Sequence, residues 1–131
     1  MKRIDVAVGI ILNEIGEVLV GQRTIKDQYF EKWEFPGGKL EENETSKEAL
    51  LRELKEELGI DVIESQEAMT LKHDYPDSQV RLFVQEVIKF NGKPQGLEQQ
   101  VIQWVEINKL QKLDMLDGNW QIIDYLIESD H

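Results

Sequence analysis

Glu34-Phe35-Pro36-Gly37-Gly38-Lys39, followed by Glu44 and then Arg52-Glu53-Leu54-Lys55-Glu56-Glu57-Leu58-Gly59-Ile60, is the stretch on which the reading of this chain turns. Its second half has a helical period. At ~100° per residue, Leu50, Leu51, Leu54 and Leu58 fall within an arc of about 100°, the buried stripe of an amphipathic helix. Gly59 stands in a helix-stop position, so a helix is predicted over residues 45–58. Glu53, Glu56 and Glu57 occupy the adjacent arc at spacing i, i+3, i+4, which makes their carboxylates neighbours. Each like-charge pair costs roughly 0.2–0.5 kcal/mol unless a cation intervenes. The nearest bases, Arg52 and Lys55, are expected to project elsewhere. Three hard oxygen ligands beside a core suit Mg²⁺ or Mn²⁺. A plain solvated acidic face would have the same spelling.

Outward from this helix, the chain reads as one compact domain spanning residues 1–131, with no repeat, linker or low-complexity tract. Residues 3–12 and 18–22 are β-rich runs joined through Gly16, which suggests a hairpin. Residues 24–32 are polar and loop-like, and Phe35-Pro36-Gly37-Gly38 is a turn. Further strands are predicted over residues 70–73, 79–89 and 101–105. Asn91-Gly92-Lys93-Pro94 is turn chemistry. Residues 119–128 close the chain as an amphipathic helix, with Trp120, Ile123, Leu126 and Ile127 on one side. The order of elements predicts an α/β domain in which helices cover a mixed sheet.

Composition narrows the function. With 15 basic and 26 acidic residues the formal net charge is −11. That argues against a nucleic-acid polymer or an anionic membrane as partner, because phosphate contacts need a basic surface. Residues 41–58 hold seven acidic and three basic groups, and residues 114–131 hold five acidic groups and no Lys or Arg. No cysteine is present, which removes disulfides, thiolate metal sites and cysteine nucleophiles. His73 at a strand end is expected to be structural, and His131 terminal. The apolar run of residues 6–12 is short and has no cleavage pattern, so it reads as a strand, not a signal peptide. The expected compartment is the cytoplasm, and a monomer is the working expectation.

From Gly38 the sequence runs G, five residues, E, seven residues, R-E-L-K-E-E-L-G-I. This resembles the Nudix box, G-x5-E-x7-R-E-U-x-E-E-x-G-U with U aliphatic, at every fixed position. The resemblance implies the Nudix fold, a mixed sheet sandwiched between helices, and hydrolysis of nucleoside diphosphate derivatives with Mg²⁺ or Mn²⁺. The cation would neutralise polyphosphate charge and lower the pKa of the attacking water. By the family pattern Glu53, Glu56 and Glu57 are metal ligands and Gly38 adds a backbone oxygen. Arg52 either orients these carboxylates or pairs with Glu48 on the surface. Glu44 either supports the loop–helix junction or caps the helix.

The rest of the chain is similar to the MutT-like branch of that family, which hydrolyses 8-oxo-dGTP to the monophosphate and pyrophosphate. Residues 4–11 match its first strand, Lys32 to Lys39 its loop, and Gly96-Leu97-Glu98 with Trp104 a loop carrying a further metal-linked glutamate. The resemblance therefore implies Glu53 or Glu98 as general base, Glu98 as an added ligand, and Lys39 as a counter-charge to the leaving group. It implies nucleotide contacts from Arg23, Glu34, Phe35, Gly37 and Gly38, with Val6 and Val80 lining the pocket. Asn119 stands where that branch reads the oxidised purine edge, though asparagine is also a favoured helix N-cap. Gln28 and Ser78 depart from the branch, which carries histidine and arginine there. The second departure leaves the base preference open, with an unmodified nucleotide or another nucleoside diphosphate derivative as the alternative, and a non-catalytic nucleotide-binding domain as a third.

Overall fold

The computed structural model describes residues 2–129; the expectation for His131 lies outside them. The elements are β1 (Lys2–Ile11), β2 (Glu17–Gln22), β3 (Trp33–Glu34), β4 (Gly37–Lys39), α1 (Ser46–Leu58), β5 (Asp61–Tyr75), β6 (Ser78–Asn91), β7 (Ile102–Glu106) and α2 (Trp120–Glu128). Short 3-10 turns precede α2 at Ile107–Lys112 and Asp117–Asn119. No helix among the described residues is long and apolar enough to cross a membrane.

The strands divide into two sheets, β4-β1-β6-β5 and β3-β2-β7. The pair β1–β6 is parallel and the other pairs are antiparallel. The expected β1–β2 hairpin is thereby reduced to one isolated bridge, Leu12–Val18. The reason is that β4 and β6 take both edges of β1, so β2 has to pair elsewhere.

Side-chain alternation along β1 and β2 feeds two cores. Ala7, Ile11 and Leu19 face α1 together with Leu50, Leu54, Leu58 and Ile60. Val8, Ile10, Val18 and Val20 belong to the other cluster, with Ile122, Ile123 and Leu126 of α2. Gly9 lets α1 come close, since a Cβ there would lie 3.1 Å from Leu50 Cδ1 and 3.3 Å from Leu54 Cδ1. Helix α1 starts with a capping box between Thr45 and Glu48 and stops at Gly59, whose φ is 73°. Glu48 is thus used by the cap.

The apolar stripes differ from expectation in detail. Ala49 joins the buried face of α1 and Leu51 stays half-buried. In α2 the buried residues are Ile122, Ile123 and Leu126, while Ile127 is 45% exposed. The strand expected at residues 70–73 is the end of the 15-residue β5. That strand lies at a sheet edge and carries register shifts between Val62 and Met69, which erase the period-two signal. His73 lies in β5 with its ring edge-on to Tyr75, centroids 4.4 Å apart.

Leu54 is fully buried. Leu54→Ala should cost about 2–5 kcal/mol in urea melts, whereas Ile127→Ala should stay within about 0.5 kcal/mol. Equal losses would contradict this division of the core.

Candidate active site

A cavity of about 800 Å³ opens between β1, the N-terminal part of β6, the start of α2 and the C-terminal half of α1. One end of it is carboxylate-rich. Glu53, Glu57 and Glu98 line it with Gly37, Gly38 and Lys39. Glu56, which is exposed, and Arg52, which is half-buried, do not line it.

Arg52 does not project away from the glutamates, contrary to expectation. Its Nη1 donates to Glu53 Oε1 at 2.8 Å and to Glu56 Oε2 at 3.5 Å. Its Nε and Nη2 grip both oxygens of Glu44 at 2.8 and 2.9 Å, and Nη2 also reaches the Lys39 carbonyl at 3.0 Å. Glu44 is therefore an anchor for Arg52 and for the Glu41 N–H, and Thr45 is the helix cap. The Arg52 hydrogen bonds, then the Glu41 N–H, bring the Glu44 carboxyl down to about 2.

Burial sets the opposite trend inside the cavity. It pushes the Glu57 carboxyl up to about 8, helped by Glu34, Glu98 and Glu53, while the Gly37 N–H pulls back. Glu53 is also raised, by burial first, with Arg52 opposing and Glu56 and Glu98 adding to it. Glu34 is raised by burial against the pull of Arg23.

The glycines are sterically required. A Cβ on Gly37 would run into the Ala7 carbonyl, and one on Gly38 would occupy the space of the Glu53 carboxyl group. Glu98 is held to α1 by Gln100, a residue the sequence did not single out. Gln100 Oε1 accepts from the Glu98 N–H at 2.9 Å, and its Nε2 donates to the Glu57 carbonyl at 3.1 Å.

Among the described residues no group of three or more His, Asp or Glu side chains converges closely enough to hold a metal ion in this arrangement. The ion pair of Glu53 and Glu56 with Arg52 accounts for part of that dispersal. The donor chemistry still fits a divalent cation. Carboxylates that raise one another share a cavity wall with two glycines, of which Gly38 lies directly against the Glu53 carboxyl group.

The end near Phe35 mixes aromatic and amide groups with the charged Arg23, Asp27 and Glu34. Phe35 is buried, and its N–H donates to Asn119 Oδ1 at 3.1 Å. Asn119 sits at the N-cap position of α2 but makes no capping bond, so the capping alternative is not what the side chain does. Its Nδ2 and the second lone pair of Oδ1 are what it offers the cavity. Val6 and Val80 line the same wall. Arg23 bonds Glu34 at 3.4 Å and Asp27 at 3.3 Å, with its guanidinium 5.8 Å from the Tyr29 ring centroid. Ser78 is buried in the lining, while Gln28 is exposed on its loop. Sequence reasoning missed Tyr29 and Tyr75, whose rings meet edge to face at 5.2 Å beside this end. Only their alignment across the fold marks them.

Glu57 gives a pH signature. Between pH 4.5 and about 8 its carboxyl stays protonated in the fold and ionises in the unfolded chain. The unfolded state then binds fewer protons, so stability falls as pH rises through that window. Glu44 acts the other way, stabilising above pH 4.5 and losing its effect as pH drops toward about 2. In divalent-free buffer the melting temperature should fall from pH 5 to 8 less steeply in Glu57→Gln than in the parent, and Mg²⁺ should oppose the parent's fall. Parallel slopes for the two proteins would contradict the shift.

A NUDIX domain profile matches residues 1–126. The chain is 36% identical over 123 residues to an 8-oxo-dGTP diphosphatase of Escherichia coli K12, covering 94% of this chain and 95% of that one. It is 35% identical over 104 residues to a CTP pyrophosphohydrolase of the same organism, covering 79% and 76%. A MutT structure from work on the Aliivibrio salmonicida and Vibrio cholerae proteins superposes with a TM-score of 0.82 at 34% identity, covering 99% of this chain and all of that one. With Gly38, Glu53 and Glu57 of the box lining one cavity and the match running nearly end to end, the chain belongs to the NUDIX domain family and is a Nudix hydrolase.

Proposed function

We propose that the protein is a Mg²⁺-dependent nucleoside triphosphate pyrophosphohydrolase that prefers 8-oxo-dGTP and releases 8-oxo-dGMP and pyrophosphate. As one domain working in the cytoplasm on free nucleotides, it would clear oxidised precursors before DNA synthesis. The observation that carries this reading is the two-ended cavity. Glu53, Glu57 and Glu98 lie at one end, and Asn119, bonded to the Phe35 N–H instead of capping α2, lies at the other.

Glu53, Glu56, Glu57 and Glu98 with the Gly38 carbonyl would hold the metal. The bound cation, with Mn²⁺ as a substitute, would supply charge neutralisation and water activation. Glu53 or Glu98 takes the proton from the attacking water; Glu53, raised by burial, is held in place by the Arg52 guanidinium. Arg52 orients Glu53 and Glu56 from behind. Lys39, exposed at the mouth, offers charge to the leaving pyrophosphate. Gly37 lets the phosphate chain approach the backbone. Arg23, Glu34 and Val80 bound the nucleoside, Phe35 packs against the base, and Asn119 reads its edge.

A second reading changes only the substrate. Ser78 leaves the pocket without an arginine at that point, and a relative acts on CTP by name. A panel of 8-oxo-dGTP, dGTP and CTP with Mg²⁺, followed by pyrophosphate release, separates the two. We expect kcat/KM to be highest for 8-oxo-dGTP; parity with dGTP would remove the sanitising role and leave the hydrolase. Glu53→Gln should lower kcat by about 10²–10⁴ with the fold retained, and near-full activity would remove Glu53 from the mechanism.

Asn119→Ala should act twice. It strands the buried Phe35 N–H, at about 1–3 kcal/mol of stability. It should also cut the preference for 8-oxo-dGTP over dGTP, read as a ratio of kcat/KM values. A stability loss with that ratio unchanged would make Asn119 structural only.

A further inference from the structure

Asn119 sits at the end of the short turn Asp117–Asn119, between an extended Leu116 and the first residue of α2. Three residues of 3-10 helix fix little by themselves. What fixes this turn comes from the far side of the fold. The Gly118 N–H donates to the Tyr75 hydroxyl at 2.8 Å in a buried setting, across a sequence separation of 43 residues. A Cβ on Gly118 would lie 2.7 Å from that same oxygen, so the turn backbone rests directly on it. Tyr75 is in turn fixed on two sides, edge-on to Tyr29 at 5.2 Å and to His73 at 4.4 Å between centroids. It is 8% exposed and ends β5, the strand that carries the turn's partner.

We infer that Tyr75 is a positioning residue for base selection: its hydroxyl holds the Gly118 N–H and so sets where the Asn119 amide meets the purine edge. This rests on the proposed role of Asn119 in the nucleotide reading. The link is continuous, from Tyr75 through Gly118 to Asn119, and from Asn119 Oδ1 to the Phe35 N–H. Both ends of the Asn119 residue are thereby tied to other elements, its preceding backbone to β5 and its side chain to the segment before β4. A hydrogen bond read on a base edge weakens steeply with distance and angle, so a small drift of this turn is enough to blunt selectivity. Burial, followed by Asp117 and Glu34, pushes the phenol up to about 12 against the pull of the Gly118 N–H. The hydroxyl thus stays un-ionised over the working pH range.

Tyr75→Phe deletes one oxygen and keeps the ring contacts. The readout is calorimetric binding of the monophosphates 8-oxo-dGMP and dGMP without metal, which separates base reading from hydrolysis. We expect Tyr75→Phe to reduce the ratio of the two affinities about tenfold, one hydrogen bond's worth, and to leave that ratio unchanged when added to Asn119→Ala. Gly118→Ala, which crowds the same oxygen from the other side, should reduce the ratio likewise and guards against a fold loss in the first variant. An unchanged ratio in both folded single variants, or an undiminished further loss in the Asn119→Ala background, overturns the inference. A parent protein that binds 8-oxo-dGMP no better than dGMP instead overturns the substrate reading on which it rests.

Discussion

Five hydrogen bonds from one guanidinium hold the carboxylate wall in register. Arg52 spans the Glu44 carboxylate, the Lys39 carbonyl, and the carboxylates of Glu53 and Glu56. It thus ties the end of β4 and the loop before α1 to the middle and last turn of that helix. Without that tie the carboxylates of Glu53 and Glu56 would lose their cationic partner. Burial of Glu57 adds to the strain, since neighbouring carboxyls and low polarity both oppose its ionisation. The apolar half of α1 supplies the counterweight: Ala49, Leu50, Leu54 and Leu58 dock on β1 over Gly9. Site and core are therefore two faces of one helix.

The overall acidity gains a finer meaning. A chain of net charge −11 repels phosphate unless a cation stands between. The structure concentrates that repulsion in a cavity that is also lined by Phe35, Val6, Val80 and an amide, with the Arg23–Glu34 ion pair among them. Carboxylates and apolar groups share one cavity, which suits the phosphate chain and the base of a nucleotide. Part of the C-terminal acidity is also used locally, since Asp114 pairs with Lys32 at 2.8 Å.

Helix α1 and its glutamates were legible in the sequence because helical period and the box motif are local. Arg23, Glu34, Phe35, Gly37, Gly38, Val80 and Asn119 were expected at one site, and all line one cavity. What stayed hidden depends on distant segments. The reach of Arg52 follows from the loop that brings Glu44 and the Lys39 carbonyl over α1, which no helical wheel contains. That Asn119 does not cap α2 depends on Phe35, 84 positions away, from whose N–H it accepts. Tyr75 and Gly118 carry no motif at all. The division into two sheets was missed because a short loop between β-runs spells a hairpin, while competition for the edges of β1 is a property of the whole sheet.

Crystals grown with Mn²⁺ and 8-oxo-dGMP would test the two-ended cavity most directly, through the anomalous signal of the metal. The expected map has manganese among the carboxylates of Glu53, Glu56, Glu57 and Glu98 and the Gly38 carbonyl, with the purine edge on Asn119. Manganese confined to other surface acids, or a base lying away from Asn119 and Phe35, would contradict it.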